Sequence, residues 1–390
     1  LNGRVLAANQ FTFDLYEGQS ATGTAKESKS NAADGTVTFT KLTYGLSDAG
    51  KDFYYTVKEQ IPAGATDNND GTYTKGGYTY DGHSETIKVS VEDNGDGTLK
   101  VTADKNGAGV QFTNKYEAEG SVTFGGSKTM SGRALKATDV FSFKIEETTT
   151  GVDSPYSQTV NNTGSKINYP EIKYTLADLD KNASGAYVKT TKTYKVTEST
   201  YKANGVTSDT KSYTVTVELE DQGDGTIKVT PSANSTKLDF ENKYEAKGEV
   251  TLSAKKALST GDTPVTGKYS FQLLEGGKEI ETVTNTGADI TFSKISYTLN
   301  DKGTHTYTIH ESSTAAKGWT NGADVTVVVN VEDNGDGTLK VTYGADKSDT
   351  FSPSTITNTY DANGEITLSA KKVLNGRVLA ANQFTFDLYE

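Results

Sequence analysis

The sequence predicts an all-β protein built as tandem Ig-like β-sandwich domains stacked as a rod. Three observations carry this. Short segments that alternate apolar and polar residues, the period of a half-buried strand, recur three times along the 390 residues. Asp-Gly turns separate many of them, and no stretch shows the apolar spacing of a helix. The composition agrees, since 22 Tyr and 39 Gly beside abundant Thr and Val suit antiparallel sheet and its turns.

Taken in chain order, each repeat opens on a strand of its own. Val122-Thr-Phe124, Val250-Thr-Leu252 and Ile366-Thr-Leu368 align without gaps, which places Lys128, Lys256 and Lys372 at one position. An aromatic strand follows: Phe11–Leu15, Phe141–Ile145 and Tyr269–Leu273. Shorter strands come next at Val37–Phe39, Ile167–Tyr169 and Ile290–Phe292, each with a second pair behind it such as Leu42-Thr-Tyr44. The middle strands Tyr55–Glu59, Tyr194–Glu198 and Tyr307–Glu311 put Tyr, a β-branched residue and Glu on one face. Gly95-Asp96-Gly97, Gly223-Asp224-Gly225 and Gly335-Asp336-Gly337 then sit between alternating runs, as hairpin turns that need positive φ. The last strand is Phe112-Thr-Asn-Lys-Tyr116, repeated as Phe240–Tyr244 and Ile356–Tyr360. Its bulky residues and its Asn differ by even counts, so Asn114, Asn242 and Asn358 share the face of the hydrophobes on either side.

Junctions at 117–120, 245–248 and 361–364 are short and lack a Pro/Ser-rich linker, so neighbouring domains are expected to have limited freedom. The divisions follow: repeat one at 1–119 without its first strand, repeat two at 120–247, repeat three at 248–363, and the start of a fourth at 364–390. Leu374–Glu390 repeats Leu1–Glu17 without a change, an offset of 373 (374 − 1), so a window in a longer array is expected.

Several functions are disfavoured. A net charge of −12 opposes nucleic acid and anionic membrane as partners, and no apolar run approaches a membrane span. With no Cys there is neither a disulfide nor thiol chemistry. The acidic turns are poor calcium loops, because Gly95 and Gly97 stand where an EF-hand needs its third and fifth ligands. No metal or cofactor is expected. The three histidines, His83, His305 and His310, are not repeated, and no motif for a turnover enzyme stands out.

What remains is a Lys in the first strand, a Glu in a middle strand and an Asn in the last. Repeat two has Lys128, Glu198 and Asn242; repeat three has Lys256, Glu311 and Asn358; repeat one has Glu59 and Asn114. Lys and Glu are rarely buried without partners. A desolvated Lys amine loses its proton easily and becomes a nucleophile. A Glu in the same apolar site has a raised pKa and can polarise the carbonyl of the Asn amide. Attack on that carbonyl with loss of ammonia leaves a Lys–Asn isopeptide bond, made once and never turned over. The non-covalent reading, a buried Lys–Glu pair with Asn as hydrogen-bonding bystander, uses the same residues. Lys255 beside Lys256 leaves two amines open in repeat three.

This pattern resembles the intramolecular isopeptide domain of Gram-positive pilins and surface adhesins, above all the streptococcal major-pilin type. The resemblance rests on the first-strand Lys, the strand ending in Glu, the Asp/Gly hairpin and the terminal Phe-x-Asn-x-Tyr, and it covers all three repeats. It implies pilin-type sandwiches, with Lys128 and Lys256 as amines, Glu59, Glu198 and Glu311 as catalytic acids, and Asn242 and Asn358 as amide donors. Ile356 departs from the pattern where the other two copies have Phe. Lys372 is expected to serve the Asn114 of an adjacent copy. The expected function is a structural stalk or fibre segment at the bacterial cell surface, extracellular and anchored to the wall outside this window. Its partners would be adjacent repeats or copies of itself, head-to-tail. The alternative is an adhesin module that recognises host protein or glycan, with Trp319 stacking on a sugar.

Overall fold

The computed structural model describes residues 1–390, and nearly all of its regular structure is β. The chain forms two compact units, Leu1–Tyr244 with the first two repeats and Glu245–Glu390 with the third.

Repeat three shows the complete plan. One sheet runs Lys278–Thr284, Ser270–Glu275, Gly303–Glu311, Val325–Asp333 and Leu339–Tyr343, all antiparallel. The other runs Asp289–Tyr297, Gly248–Leu258, Thr355–Tyr360 and Trp319–Thr320. In it the first strand lies parallel to the last, with Lys256 opposite Ile356 and Leu258 opposite Asn358. The alternation read from the sequence becomes the core. Phe271, Leu273, Ile309 and Val329 from one sheet and Leu252, Ala254, Ile290 and Ile356 from the other are all buried.

Repeat two keeps this plan with a broken first strand. Glu119–Thr123 pairs with Glu171–Thr175, and Lys128–Ser131 runs parallel to Phe240–Tyr244. The break is packed tightly: a Cβ on Gly126 would stand 2.1 Å from the Leu238 carbonyl oxygen, so only glycine fits there.

Repeat one has the five-stranded sheet, Glu27–Ser30, Thr12–Glu17, Asp52–Glu59, Ser84–Asp93 and Leu99–Ala103. The expected strands at Val37–Phe39 and Leu42–Tyr44 do not form a ladder, which corrects the sequence reading. Glu171–Thr175 in repeat two and Asp289–Tyr297 in repeat three do pair with the first strand, whereas the expected strand at Ile167–Tyr169 is cut short, Lys166–Ile167 pairing with Asn162–Thr163 instead. Residues 36–44 have no such neighbour. Alternation alone places side chains, and Val37, Phe39, Leu42 and Tyr44 do pack on the core, but a strand needs a partner for its N–H and C=O groups.

The Asp/Gly hairpins close on themselves. Asp96 accepts from Thr98 N at 3.0 Å and Asp93 from Gly95 N at 2.9 Å, while Gly95 and Gly97 take φ of 74° and 86°. Within the first unit the hairpin of repeat two seats on the end of repeat one. Tyr116 donates to Asp221 at 2.6 Å, and Gly225 N donates to the Tyr116 hydroxyl at 3.2 Å.

Candidate functional site

The site of repeat two forms where the two sheets face each other. Lys128 sits on the first strand, Asn242 on the parallel last strand, and Glu198 ends the middle strand of the opposite sheet. All three side chains are shut from solvent. Lys128 Nζ donates to Glu198 Oε2 at 2.9 Å, and Asn242 Nδ2 donates to Glu198 Oε1 at 2.7 Å. One carboxyl group therefore holds the amine and the carboxamide, one on each oxygen. Phe141 and Phe143 close the amine's other side, with ring centroids 5.0 and 6.0 Å from Nζ. This burial pushes the Lys128 ammonium below its usual range, against the pull of Glu198.

Repeat three reproduces the arrangement. Lys256 Nζ donates to Glu311 Oε2 at 2.9 Å, Asn358 Nδ2 donates to Glu311 Oε1 at 2.9 Å, and the Tyr269 ring lies 5.0 Å from the amine. Burial again lowers the lysine's pKa. The structure separates the two neighbouring lysines. Lys255 points out to solvent and pairs with Asp289, so Lys256 is the amine at the site.

Repeat one contains two of the three groups. Asn114 Nδ2 donates to Glu59 Oε1 at 2.6 Å, but Glu59 Oε2 is buried and has no hydrogen-bond partner. Desolvation pushes the Glu59 carboxyl up to about 7. Lys372 is exposed in residues 361–390, which form no strand, and its amine lies 4.8 Å from the Phe384 ring centroid.

Two features escape sequence reasoning. The first is what faces the amide oxygen. Asp81 N, Asp209 N and Gly322 N donate to Oδ1 of Asn114, Asn242 and Asn358 at 2.8, 2.7 and 2.9 Å. An N–H on that side requires the carbonyl there and so fixes the carboxamide's orientation. The sequence reading has Glu polarise the carbonyl; in the structure a backbone N–H does so, and Glu faces the amide nitrogen. No side-chain pattern reveals a backbone donor. The second feature is a repeated buried Asn. Asn31, Asn162 and Asn285 accept from the N–H of Phe11, Phe141 and Tyr269, and each donates to two carbonyls. In repeats two and three they fix the backbone of the aromatic residue that covers the lysine. The recurring Asn-Thr-Gly at Asn162 and Asn285 is the signal that could have shown them.

Fold and site define a class: β-sandwich repeats whose first and last strands meet at a buried Lys–Glu–Asn cluster. The chain belongs to the family of Spy0128-like isopeptide-containing domains, whose model matches residues 1–117, 124–245 and 252–361. Among solved structures it is similar to the major pilin of Streptococcus pyogenes at 20% identity, covering 62% of this chain and 97% of that one, TM-score 0.21. A C-terminal fragment of the pilus adhesin SpaC from Lactobacillus rhamnosus GG matches at 14% identity, covering 63% and 100%, TM-score 0.22. The shaft pilin spaA of the same organism matches at 14% identity, covering 64% and 100%, TM-score 0.17. No curated protein matches the chain. No helix is long and apolar enough to cross a membrane.

Proposed function

We propose that the chain is a structural segment of a bacterial surface fibre, each complete repeat sealed by a self-made isopeptide bond, Lys128–Asn242 and Lys256–Asn358. The observation that supports this most is the single buried carboxyl between amine and carboxamide. A lysine with a lowered pKa can shed its proton to the carboxyl and attack Asn Cγ. The backbone N–H of Asp209 or Gly322 stabilises the charge that develops on Oδ1. The carboxyl then delivers that proton to Nδ2 and takes a second from Nζ, the Cγ–Nδ2 bond breaks, and the departing ammonia carries the second proton away as ammonium while the Nζ–Cγ bond remains. The carboxyl is restored and the product stays in place, so the reaction is a single turnover.

The benefit is mechanical and kinetic. The bond joins the first strand to the last, where tension would enter and leave a repeat, so most of the strands between lie outside the force path. A crosslink closing a loop of about a hundred residues is worth about 4.7 kcal/mol in the chain-entropy model. Protection against unfolding and proteolysis adds to this. An adhesin role draws less support, because Trp319, its sugar-stacking candidate, packs on Tyr360 with ring centroids 5.1 Å apart.

Intact-mass measurement tests the proposal. Repeats two and three should each lose one ammonia, and a digest should contain branched peptides joining Lys128 to Asn242 and Lys256 to Asn358. A mass equal to that of the unlinked chain would sink it.

A further inference from the structure

All three repeats place a backbone N–H on the amide oxygen of their Asn, and they do so by two different means. In repeat two the donor, Asp209 N, belongs to residues 208–211. These form no ladder and cross from Val206–Thr207 in one sheet to Ser212–Asp221 in the other. A connection of that kind has no strand pairing to hold its amides in place. The Asp209 side chain supplies the hold. Its Oδ2 accepts from Glu241 N at 2.9 Å, and Glu241 is the residue before Asn242. Its Oδ1 accepts from Lys211 N at 2.9 Å, an Asx turn that shapes the connection. The side chain is 9% exposed, so water competes little for either oxygen.

Repeat one uses the same grip. While Asp81 N donates to Asn114 Oδ1, Asp81 Oδ2 accepts from Thr113 N at 3.0 Å and Oδ1 from His83 N at 3.2 Å. Thr113 again precedes the Asn, and His83 again stands two residues beyond the Asp. Repeat three has no carboxylate at this position and reaches the same end by contact. Gly322 N donates to Asn358 Oδ1, and a Cβ on Gly322 would stand 2.7 Å from the Thr357 carbonyl oxygen and 2.9 Å from Thr357 N. The neighbouring Asn321 is tied to the Ser313 carbonyl at 2.7 Å. An Asp side chain thus spans from connection to last strand in repeats one and two, whereas in repeat three the glycine backbone lies directly on that strand.

We propose that Asp209 is a positioning residue of the Lys128–Asn242 reaction: its carboxylate grips Glu241 N and Lys211 N and thereby holds its own N–H on Asn242 Oδ1. Negative charge develops on that oxygen as Nζ attacks Cγ, and a donor already in place stabilises it without having to reorganise. The same N–H fixes which end of the carboxamide faces which way, so Nδ2, the leaving nitrogen, stays on Glu198 Oε1. Asp81 is the counterpart in repeat one, and close packing of Gly322 replaces the grip in repeat three. The inference rests on the covalent chemistry proposed above. It adds to that chemistry a carboxylate that touches neither the amine nor the carboxamide and acts through the backbone.

The test follows bond formation as residues 1–390 emerge from cell-free translation, sampled over time by digestion and mass. In every chain the branched Lys256–Asn358 peptide is an internal clock for the Lys128–Asn242 peptide. An oxyanion donor is worth about 10²–10³ in rate, so Asp209→Ala, which misplaces the donor, should slow the Lys128–Asn242 peptide at least about tenfold. The clock should not change. Asp209→Asn keeps one of the two acceptors and should fall between, and it carries the test if Asp209→Ala fails to fold. Carbon-13 spectra of the asparagine side chains, taken in the unlinked Glu198→Gln chain, separate positioning from stability. Adding Asp209→Ala or Asp209→Asn should move Asn242 Cγ upfield as its donor is lost and leave Asn358 Cγ in place. Unchanged rates in both variants would overturn the positioning role and leave the proposed function standing. Slower bonding with Asn242 Cγ unmoved would assign Asp209 to stability alone and overturn it too. No branched peptide from the unaltered chain would overturn the proposed function, and this inference with it.

Discussion

Repeats one and three present nearly the same acid and amide in two states of completion. Around Glu311 every polar group has a partner: lysine on one oxygen, carboxamide on the other, and a backbone N–H on the amide carbonyl. Around Glu59 the amide contacts persist but the amine is absent, and the carboxyl's pKa rises to about 7. The carboxamide is therefore placed by its strand and the backbone, without help from the lysine. In repeat three the lysine satisfies the oxygen that is orphaned in repeat one, and in the proposed reaction it is also the nucleophile.

The largest expected effect comes from making repeat two resemble repeat one. Lys128→Ala should restore one ammonia to the mass and strand Glu198 Oε2 in an apolar site. Losing a crosslink worth about 4.7 kcal/mol lowers the melting temperature by about 20 °C, at roughly 4 °C or more per kcal/mol. Differential scanning calorimetry, read beside the mass, checks this. An unchanged melting temperature with the ammonia restored would show that the bond does not stabilise the repeat.

Glu198→Gln asks a narrower question. The neutral amide can still contact Lys128 and Asn242, so repeat two should fold, but it cannot carry the proton from Nζ to Nδ2. The ammonia should be retained in repeat two and lost as before in repeat three. Loss in both would assign the proton transfer to another group.

A third expectation concerns repeat one and pH. Glu59 titrates near 7 when folded and near 4.5 when unfolded, so the folded state binds the extra proton between these values. Stability is then highest below about pH 4.5 from this group, falls as pH rises to about 7, and is flat beyond. The span corresponds to about 3 kcal/mol at 1.36 kcal/mol per unit. Hydrogen exchange of Asp52–Glu59, corrected for intrinsic rates, should show protection falling over that window, and Glu59→Gln should remove the dependence.

Much of this was legible in the sequence, because three copies of one pattern act as internal controls. The strand faces of Phe240, Asn242 and Tyr244 and the placement of Glu198 follow from a period of two, and each of these side chains is buried. The alternating run at Val37–Tyr44 misled for a physical reason. Alternation reports which face is buried, but a ladder depends on a neighbour that a local pattern does not contain. The donor on the amide oxygen was hidden because every residue has an N–H. Asp209 and Gly322 share the role without sharing a side chain.

The smallest expected effect separates two adjacent residues. Lys255 and Lys256 differ by one position in a strand, so their side chains leave opposite faces of the sheet. Lys255 is exposed and paired with Asp289, a kind of contact worth about 0–1 kcal/mol. Lys256 is 2% exposed and on Glu311. Lys255→Ala should therefore leave the ammonia loss of repeat three intact and shift its melting temperature by only a few degrees. Lys256→Ala should abolish the loss and reproduce the large shift expected for Lys128→Ala. If instead Lys255→Ala kept the ammonia in place, the strand would have to slip by one residue to bring Lys255 inside. That slip would turn Val250, Leu252 and Ala254 out to solvent together, exposing three buried apolar side chains to seat one amine.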